Sequence, residues 1–316
     1  MLREKRRDSV EEKRRPRILV TEPIDPAGIA GFEEYADVTL GFDADRERLL
    51  KLVADHDALV VRTKYQIDRE FIDHGPRLKV IAMNGIGLNH IDVDYAKEKG
   101  IAVLNVPDAS NDSVAELTIG LMLGLARRIT PAFASVRNGE WIKGPFVGTE
   151  LKDKTLGIIA LGKIGSRVAH IAQAIGMKVI AFDPFVTPEA AARMNVTLVS
   201  LDGLIEQADV ISIHAPLTKD TYHLLGAEQL AKMKKGSFIV NAGRGGIVDE
   251  DAVYEALTSG HLGGFACDVM ETEPPGKNRL FDLPNVLVTP HIGGSTQEAQ
   301  RRIGLRLAAQ IKEIIA

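Results

Sequence analysis

Three charged residues, far apart in the chain, have side chains suited to moving a proton on and off oxygen beside a bound carboxylate. They are Arg244 in NAGRGGIVDE, Glu273 in DVMETEPP and His291 in TPHIGGST. Histidine titrates near neutrality, so it can both give and take a proton in one catalytic cycle. A carboxylate beside it favours the imidazolium and fixes the ring's tautomer and orientation, a role that suits Glu273. An arginine fork binds a carboxylate bidentately and its charge polarises a neighbouring carbonyl, which suits Arg244. Glycines follow both Arg244 and His291, the latter at Gly293 and Gly294, leaving backbone room for a ligand to lie close. Each residue also has a plainer alternative: Arg244 paired with Asp249 or Glu250, Glu273 a surface loop acid, His291 a strand-end histidine bonded to backbone. Their shared position favours chemistry, because all three follow apolar strand-like runs and ligands of open α/β sheets bind outside the carboxyl ends of strands.

The elements that must position them alternate short β-branched runs with helical periodicity. Strands are expected at 18–23, 58–63, 79–85 and 101–107, with helices at 25–35, 68–74 and 93–99. A second series has strands at 156–160, 179–183, 209–216, 237–243, 263–269 and 285–291, each preceded by a helical segment, and a terminal helix at 295–315. This rhythm implies parallel sheets covered by helices on both faces. Between the two series, Ser113 and Glu116 read as a capping box for a helix over 113–127 that is apolar nearly all round. Such a helix is expected to be buried from several directions, in part by a second subunit. Residues 130–154 are polar, contain Gly and Pro, and hold the single tryptophan, Trp141; they read as a linker or as an arm toward a partner chain.

Composition narrows the class. A chain of 316 residues is comfortable as two domains, and 45% hydrophobic with 26% charged residues is ordinary for a globular protein. A net charge of -4 gives no electrostatic case for nucleic acid or an anionic membrane. The single cysteine, Cys267, excludes a disulfide framework and a multi-cysteine metal site; no metal is expected, and the thiol reads as buried and inert. No apolar run reaches bilayer length and no signal-peptide core is present, so a cytoplasmic location is expected. Residues 1–15 are almost wholly polar with mixed signs and read as a disordered extension.

Ala160-Leu-Gly162-Lys163-Ile164-Gly165 lies between an expected strand and an expected helix at 166–175. This is the G-x-G-x-x-G arrangement with alanine in first place. Gly162 lets backbone approach a pyrophosphate held at the helix N-terminus, and Gly165 lets helix and strand pack closely. Asp183, about 20 residues on, suits the adenosine ribose hydroxyls and would repel a 2′-phosphate, favouring NAD over NADP. Its alternative is a cap on the strand before Pro184. A bound nicotinamide would accept or donate hydride, and the proton chemistry of His291 then fits a ketone–alcohol couple.

The sequence resembles the D-isomer-specific 2-hydroxyacid dehydrogenases, in their phosphoglycerate dehydrogenase-like branch. The resemblance rests on GIGLNHID (85–92), SVAELTIGLMLGLAR (113–127), LGIIALGKIG (156–165), HAPLT (214–218), NAGRGGIVDE (241–250), DVMETEPP (268–275) and TPHIGGSTQEAQ (290–300). It implies an α/β protein of two Rossmann-like domains with a cleft between them, the nucleotide domain (108–295) inserted into a discontinuous substrate domain (1–107 with 296–316). It implies His291 as general acid/base, Glu273 as its partner and Arg244 as carboxylate anchor. Asp268 would face the nicotinamide carboxamide, Ala215 and Pro216 the adenosine side, and Ala242 the nicotinamide side. Amides around Gly85, Ile86 and Gly87 would hold the substrate carboxylate, with Ile86 also touching cofactor. Where the family commonly has Asp-Asn this chain has Asn89-His90, so His90 is expected to be structural. The resemblance also implies a homodimer formed through the nucleotide domain.

Arg62 and Lys64 end an expected strand of the first domain, and Lys143 follows Trp141; together they would suit a second anionic group on the substrate. Lys64 and Lys143 have the alternative of being solvated surface lysines. The resulting expectation is an NAD-dependent oxidation of 3-phosphoglycerate to 3-phosphohydroxypyruvate, the entry to serine. Glycerate, hydroxypyruvate or glyoxylate, and sulfolactate remain alternatives within the family. An NADH-sensing, corepressor-like binding protein is the alternative from another class. Regulation by serine through a C-terminal domain is not expected, since the chain stops after the terminal helix.

Overall fold

A computed structural model describes residues 14–316. Of the expected disordered extension, residues 1–13 lie outside the described residues. Arg14 and Arg15 do not fit that expectation: the Arg14 guanidinium bonds Asp57 at 2.6 Å and Arg15 pairs with Asp37 at 3.5 Å. The chain divides into two compact units, one of residues up to Ala109 together with Gln297–Ala316, the other Ser110–Thr296.

The first unit contains β1 (Arg17–Val20), α1 (Pro26–Glu33), β2 (Asp37–Leu40), α2 (Arg46–Val53), β3 (Ala58–Val61), α3 (Arg69–Asp73), β4 (Val80–Met83), α4 (Val93–Glu98) and β5 (Ala102–Leu104). Its sheet is wholly parallel in the order β2-β1-β3-β4-β5. Both faces are covered: Ile18, Val20, Val60 and Ala82 enter one core, Leu19, Leu59, Val61 and Ile81 the other. That double burial is why ALVV and VIAM are continuous apolar runs rather than alternating ones. Asp25, Asp45, Asp68 and Asp92 cap the N-termini of α1 to α4 by accepting a backbone amide. Neither β2 nor α2 is anticipated by the sequence pattern; β2 is a short edge strand, DVTL, with no buried residue.

The second unit contains α5 (Asn111–Ala126), α6 (Ile129–Arg137), β6 (Thr155–Ile159), α7 (Lys163–Ala174), β7 (Lys178–Phe182), α8 (Pro188–Arg193), β8 (Thr197–Leu198), α9 (Leu201–Gln207), β9 (Val210–Ile213), α10 (Ala227–Lys232), β10 (Phe238–Asn241), α11 (Glu250–Thr258), β11 (Gly264–Cys267) and β12 (Val286–Val288). The parallel sheet runs β12-β11-β10-β9-β6-β7-β8, so strand order reverses between β6 and β9, the switch point where such sheets take a dinucleotide. Two expectations fail here. Ser113 does not cap a helix: α5 starts at Asn111 after Ser110, and the Ser113 hydroxyl bonds Thr296 Oγ1 at 2.8 Å. The segment 130–154 is not all linker, since α6 occupies its start, set off from α5 by Arg128 in the left-handed region. Among the described residues no single helix is long and apolar enough to cross a membrane; α5 and α6 pass only as a pair bent by 67°.

The chain closes with α12 (Gln297–Ile315), which buries Ala299, Ile303, Leu307, Ile311 and Ile315 along one face in the first unit. It packs on α1 backbone to backbone, and a Cβ on Gly304 would stand 2.8 Å from Gly28 Cα. The Tyr35 hydroxyl donates to the Ala308 carbonyl at 2.9 Å beside this contact. Gly304→Ala gains about 1 kcal/mol of helix propensity, but overpacking against backbone costs about 1–3 kcal/mol. We expect the overpacking to win, with a lower urea midpoint for the variant; an unchanged or raised midpoint would show that the two helices separate freely.

Candidate active site

The nucleotide fingerprint lies between β6 and α7. Gly162 is the N-cap of α7, with no side chain capping the helix and open space where its Cβ would be. The helix therefore starts at Lys163, earlier than the expected Ser166, and Lys163, Ile164 and Gly165 form its first turn with the positive end of the dipole. A Cβ on Gly165 would overlap the Ala160 carbonyl oxygen, so glycine is required there. Ala160 has φ 73°, a conformation glycine adopts without penalty. Asp183 follows β7 and accepts the Leu161 amide through Oδ2 and the Phe185 amide through Oδ1, both at 2.8 Å. It thus caps the turn, and each oxygen keeps a lone pair for a further donor. An open helix end, clear space at Gly162 and a fixed acid beside them fit a pyrophosphate and a ribose.

Ala215 follows the end of β9 and Ala242 that of β10; both are buried, while Pro216 is exposed. A Cβ on Gly243 would come within 3.1 Å of the Ala215 carbonyl oxygen, so these two strand ends lie together. His214 there bonds Ser212 Oγ at 2.9 Å, and burial pushes its imidazole down to about 4, leaving it neutral near pH 7.

Beyond β10, Asn241 shapes the turn that presents Arg244: its Oδ1 accepts the Gly243 amide at 3.1 Å and its Nδ2 donates to the Arg244 carbonyl at 3.0 Å. Arg244 Nη1 donates to the Gly243 carbonyl at 2.8 Å. The suggested pairing with Asp249 or Glu250 is not made among the described residues. Asp249 caps α11, and Glu250 accepts the Glu271 amide and Asn278 Nδ2. Gly245 lies so close to Met270 that a Cβ would overlap the Met270 carbonyl.

Glu273 and His291 meet. Glu273 Oε1 accepts the Met270 amide at 3.0 Å, and Oε2 lies 2.7 Å from His291 Nδ1. Burial works against the charge on Glu273, but the bonds from His291 and the Met270 amide outweigh it and hold the carboxyl below its ordinary range. On His291 the bond to Glu273 raises the imidazole above its ordinary value, only partly offset by burial. Arg244 is near enough to act on both, lowering each with its charge. The three residues singled out from the sequence therefore converge in one unit. Asp268, which sequence reasoning gave only a cofactor contact, is buried with both oxygens accepting donors from the turn around His291. Gly293 and Gly294 complete that turn. Cys267 is fully buried, and burial pushes its thiol far above the ordinary range.

In the first unit, the loop after β4 carries Gly85, Ile86 and Gly87. The Gly85 amide is spent on the Met83 carbonyl at 2.8 Å, whereas those of Ile86 and Gly87 find no protein acceptor among the described residues. Asn105 Nδ2 fixes the loop through the Ile86 carbonyl at 2.7 Å. After β3, the amides of Arg62 and Lys64 both bond Glu22, at 2.9 and 3.3 Å, and the Lys64 ammonium stands 4.9 Å from the Tyr65 ring centre. His90 is buried. Lys143, in the second unit, is exposed, as is Trp141 at 82%. Glu22, Asn105 and Asn241 were missed. Only Asn241 left a signal, an Asn two residues before a glycine.

Residues 119–293 match the family described as "D-isomer specific 2-hydroxyacid dehydrogenase, NAD binding domain". The chain is 46% identical over 302 residues to the hydroxypyruvate reductase of Thermotoga maritima, covering 94% of this chain and 97% of that protein. The chain belongs to the D-isomer specific 2-hydroxyacid dehydrogenase family. It is also 48% identical over 300 residues to a D-3-phosphoglycerate dehydrogenase of Methanocaldococcus jannaschii, covering 95% of this chain and 57% of that protein. The chain thus spans little more than half the length of the first curated relatives it matches. Among solved structures of this family, D-lactate dehydrogenase of Aquifex aeolicus, complexed with NAD and lactic acid, superposes with a TM-score of 0.80 at 31% identity, covering 94% of each chain. The second unit is the family's NAD-binding domain, and the open N-terminus of α7 with Asp183 accords with that cofactor.

Proposed function

We propose that the protein is an NAD-dependent D-2-hydroxyacid dehydrogenase and that its substrate pair is 3-phosphoglycerate and 3-phosphohydroxypyruvate. The observation that carries the reaction class is the 2.7 Å His291–Glu273 pair within the field of Arg244. NAD, when bound, accepts hydride from the alcohol carbon or returns it to the ketone. His291 takes the hydroxyl proton in oxidation and returns it in reduction, and Glu273 holds the ring by Nδ1 so that Nε2 faces the substrate oxygen. Arg244 binds the substrate carboxylate and polarises the carbonyl, with the amides of Ile86 and Gly87 as further donors to it. Asp183 takes the ribose hydroxyls. Asp183→Ala is expected to weaken NADH binding and narrow the preference over NADPH; an unaltered ratio of the two affinities would remove that role.

Arg62, Lys64 and Lys143 are assigned to the substrate's distal anion. The name of the Methanocaldococcus relative favours phosphoglycerate. Hydroxypyruvate is a second reading, favoured by the match to the Thermotoga reductase over nearly its whole length. Steady-state assays with phosphohydroxypyruvate, hydroxypyruvate and glyoxylate separate the two. Arg62→Ala should lower kcat/KM for phosphohydroxypyruvate by about 10–100-fold, the range for a lost charge-assisted bond, and spare glyoxylate. Equal losses on both would return Arg62 to a structural role, and inactivity of the parent on every keto acid would favour a cofactor-sensing protein. With phosphoglycerate as substrate the reaction belongs to serine formation, and we assign the protein to the cytoplasm. The exposed Ile129, Phe133, Val136, Trp141 and Ile142 we assign to the interface of a homodimer.

A further inference from the structure

Asp268 is held at the end of β11, where its amide bonds the Asn241 carbonyl at 2.9 Å, and its residue is only 3% exposed. Its carboxylate faces the turn that carries His291. Oδ1 accepts the Thr289 hydroxyl at 2.6 Å and the Ile292 amide at 2.8 Å, and Oδ2 accepts the Gly293 amide at 2.7 Å. Those three donors bracket His291, which itself sits at φ 52°, a backbone conformation that non-glycine residues adopt only when their surroundings impose it. Within the turn the His291 amide bonds the Thr289 carbonyl and the Ser295 amide bonds the Ile292 carbonyl, and the turn is tied to the end of β11 by the Thr289 amide on the Cys267 carbonyl at 3.0 Å. Glycine at 293 leaves the carboxylate this place, since a Cβ there would stand 2.9 Å from Oδ2.

We propose that Asp268 is the positioning residue for His291: its buried carboxylate, gripping Thr289, Ile292 and Gly293, holds the strained turn that aims the imidazole. The proposal rests on His291 being the proton-transfer group. The loop after β11 then grips the histidine twice, Glu273 through the ring and Asp268 through the backbone on both sides of it. A carboxylate suits this work better than an amide. It offers acceptors alone, whereas an asparagine would turn an N–H toward one of three donors. Its charge also acts on the imidazole in the same direction as that of Glu273, against Arg244.

The test is a set of four variants assayed with NADH and a 2-keto acid across pH, with NADH affinity read separately by fluorescence. Asp268→Asn should lower kcat at saturating NADH by at least about tenfold and move the alkaline limb of reduction to lower pH, the signature of lost positioning and lost charge. Thr289→Val keeps the charge and removes one grip. It should lower kcat by about threefold or more without moving the limb, and Thr289→Ser should give back most of that loss. If Asp268→Asn does not fold, the Thr289 pair decides alone. A loss confined to NADH affinity, with kcat and the limb unmoved in Asp268→Asn, or full kcat in Thr289→Val, would overturn the proposal. His291→Gln separates the two readings. Its inactivity beside normal turnover in the other variants sinks only the positioning role, while its full activity sinks the proton-transfer reading itself.

Discussion

Replacing His291 with alanine is expected to lower turnover by about 10²–10⁴-fold, the range for removing a positioned acid–base group, while leaving the NADH dissociation constant near that of the parent. The asymmetry follows from placement, because His291 stands after β12 at the carboxyl ends of the strands, whereas the proposed pyrophosphate and ribose contacts come from α7 and the end of β7. The pH dependence carries its own sign. The imidazole titrates above its ordinary value and Glu273 below its own, so between those two limits the pair is an imidazolium bound to a carboxylate. Reduction needs the protonated ring, so its rate falls as pH rises through the raised histidine value; oxidation needs the neutral ring and gains over the same range. Glu273→Gln removes the main cause of the raise, so both limbs should move to lower pH. Steady-state profiles in the two directions check this, and limbs that stay in place after Glu273→Gln would detach the histidine from its partner.

Gly245→Ala should be nearly as damaging, though it touches no reacting atom. The added methyl would overlap the Met270 carbonyl and stand 2.8 Å from the Glu271 nitrogen. Both obstacles are backbone, so no side chain can swing aside and one loop must move. The loop at risk carries the Met270 amide that holds Glu273, and the other carries Arg244. A displacement near 1 Å in such a constellation costs about 100-fold in rate, and overpacking against backbone adds about 1–3 kcal/mol of destabilisation. Turnover at saturating substrates together with a denaturant midpoint tests both parts. Parent-like values for the two would mean that the loops are slack, and the mechanism would lose its claim to fixed geometry.

The sequence revealed most where burial is symmetrical or a turn needs glycine. β3, β4 and β9 are buried on both faces and read as unbroken apolar runs. The Gly162–Gly165 turn and Asp183 stand out because a close helix–strand approach tolerates few residues. Arg244, Glu273 and His291 were legible because each follows a strand. What stayed hidden depends on partners distant in sequence. The pattern at Ser113 and Glu116 is real as letters, yet the hydroxyl goes to Thr296, 183 residues away. Gly162 starts a helix with no capping side chain to announce it. β2 is a polar edge strand, and its assignment comes only from its pairing with β1. Asp268 is one more acid in the letters, and its grip on Thr289, Ile292 and Gly293 appears only once β11 and β12 lie side by side.

The contact of Gly28 with Gly304 orders events during synthesis on the ribosome. Everything between Ser110 and Thr296 can condense as soon as it emerges, since its own strands complete its sheet. The earlier-made β1 to β5 have one face of their sheet only partly covered, by α1, until α12 is translated. A chain truncated after residue 296 and released from the ribosome should therefore leave Ile18, Val60 and Phe32 open to chaperones while its second unit is already protease-resistant.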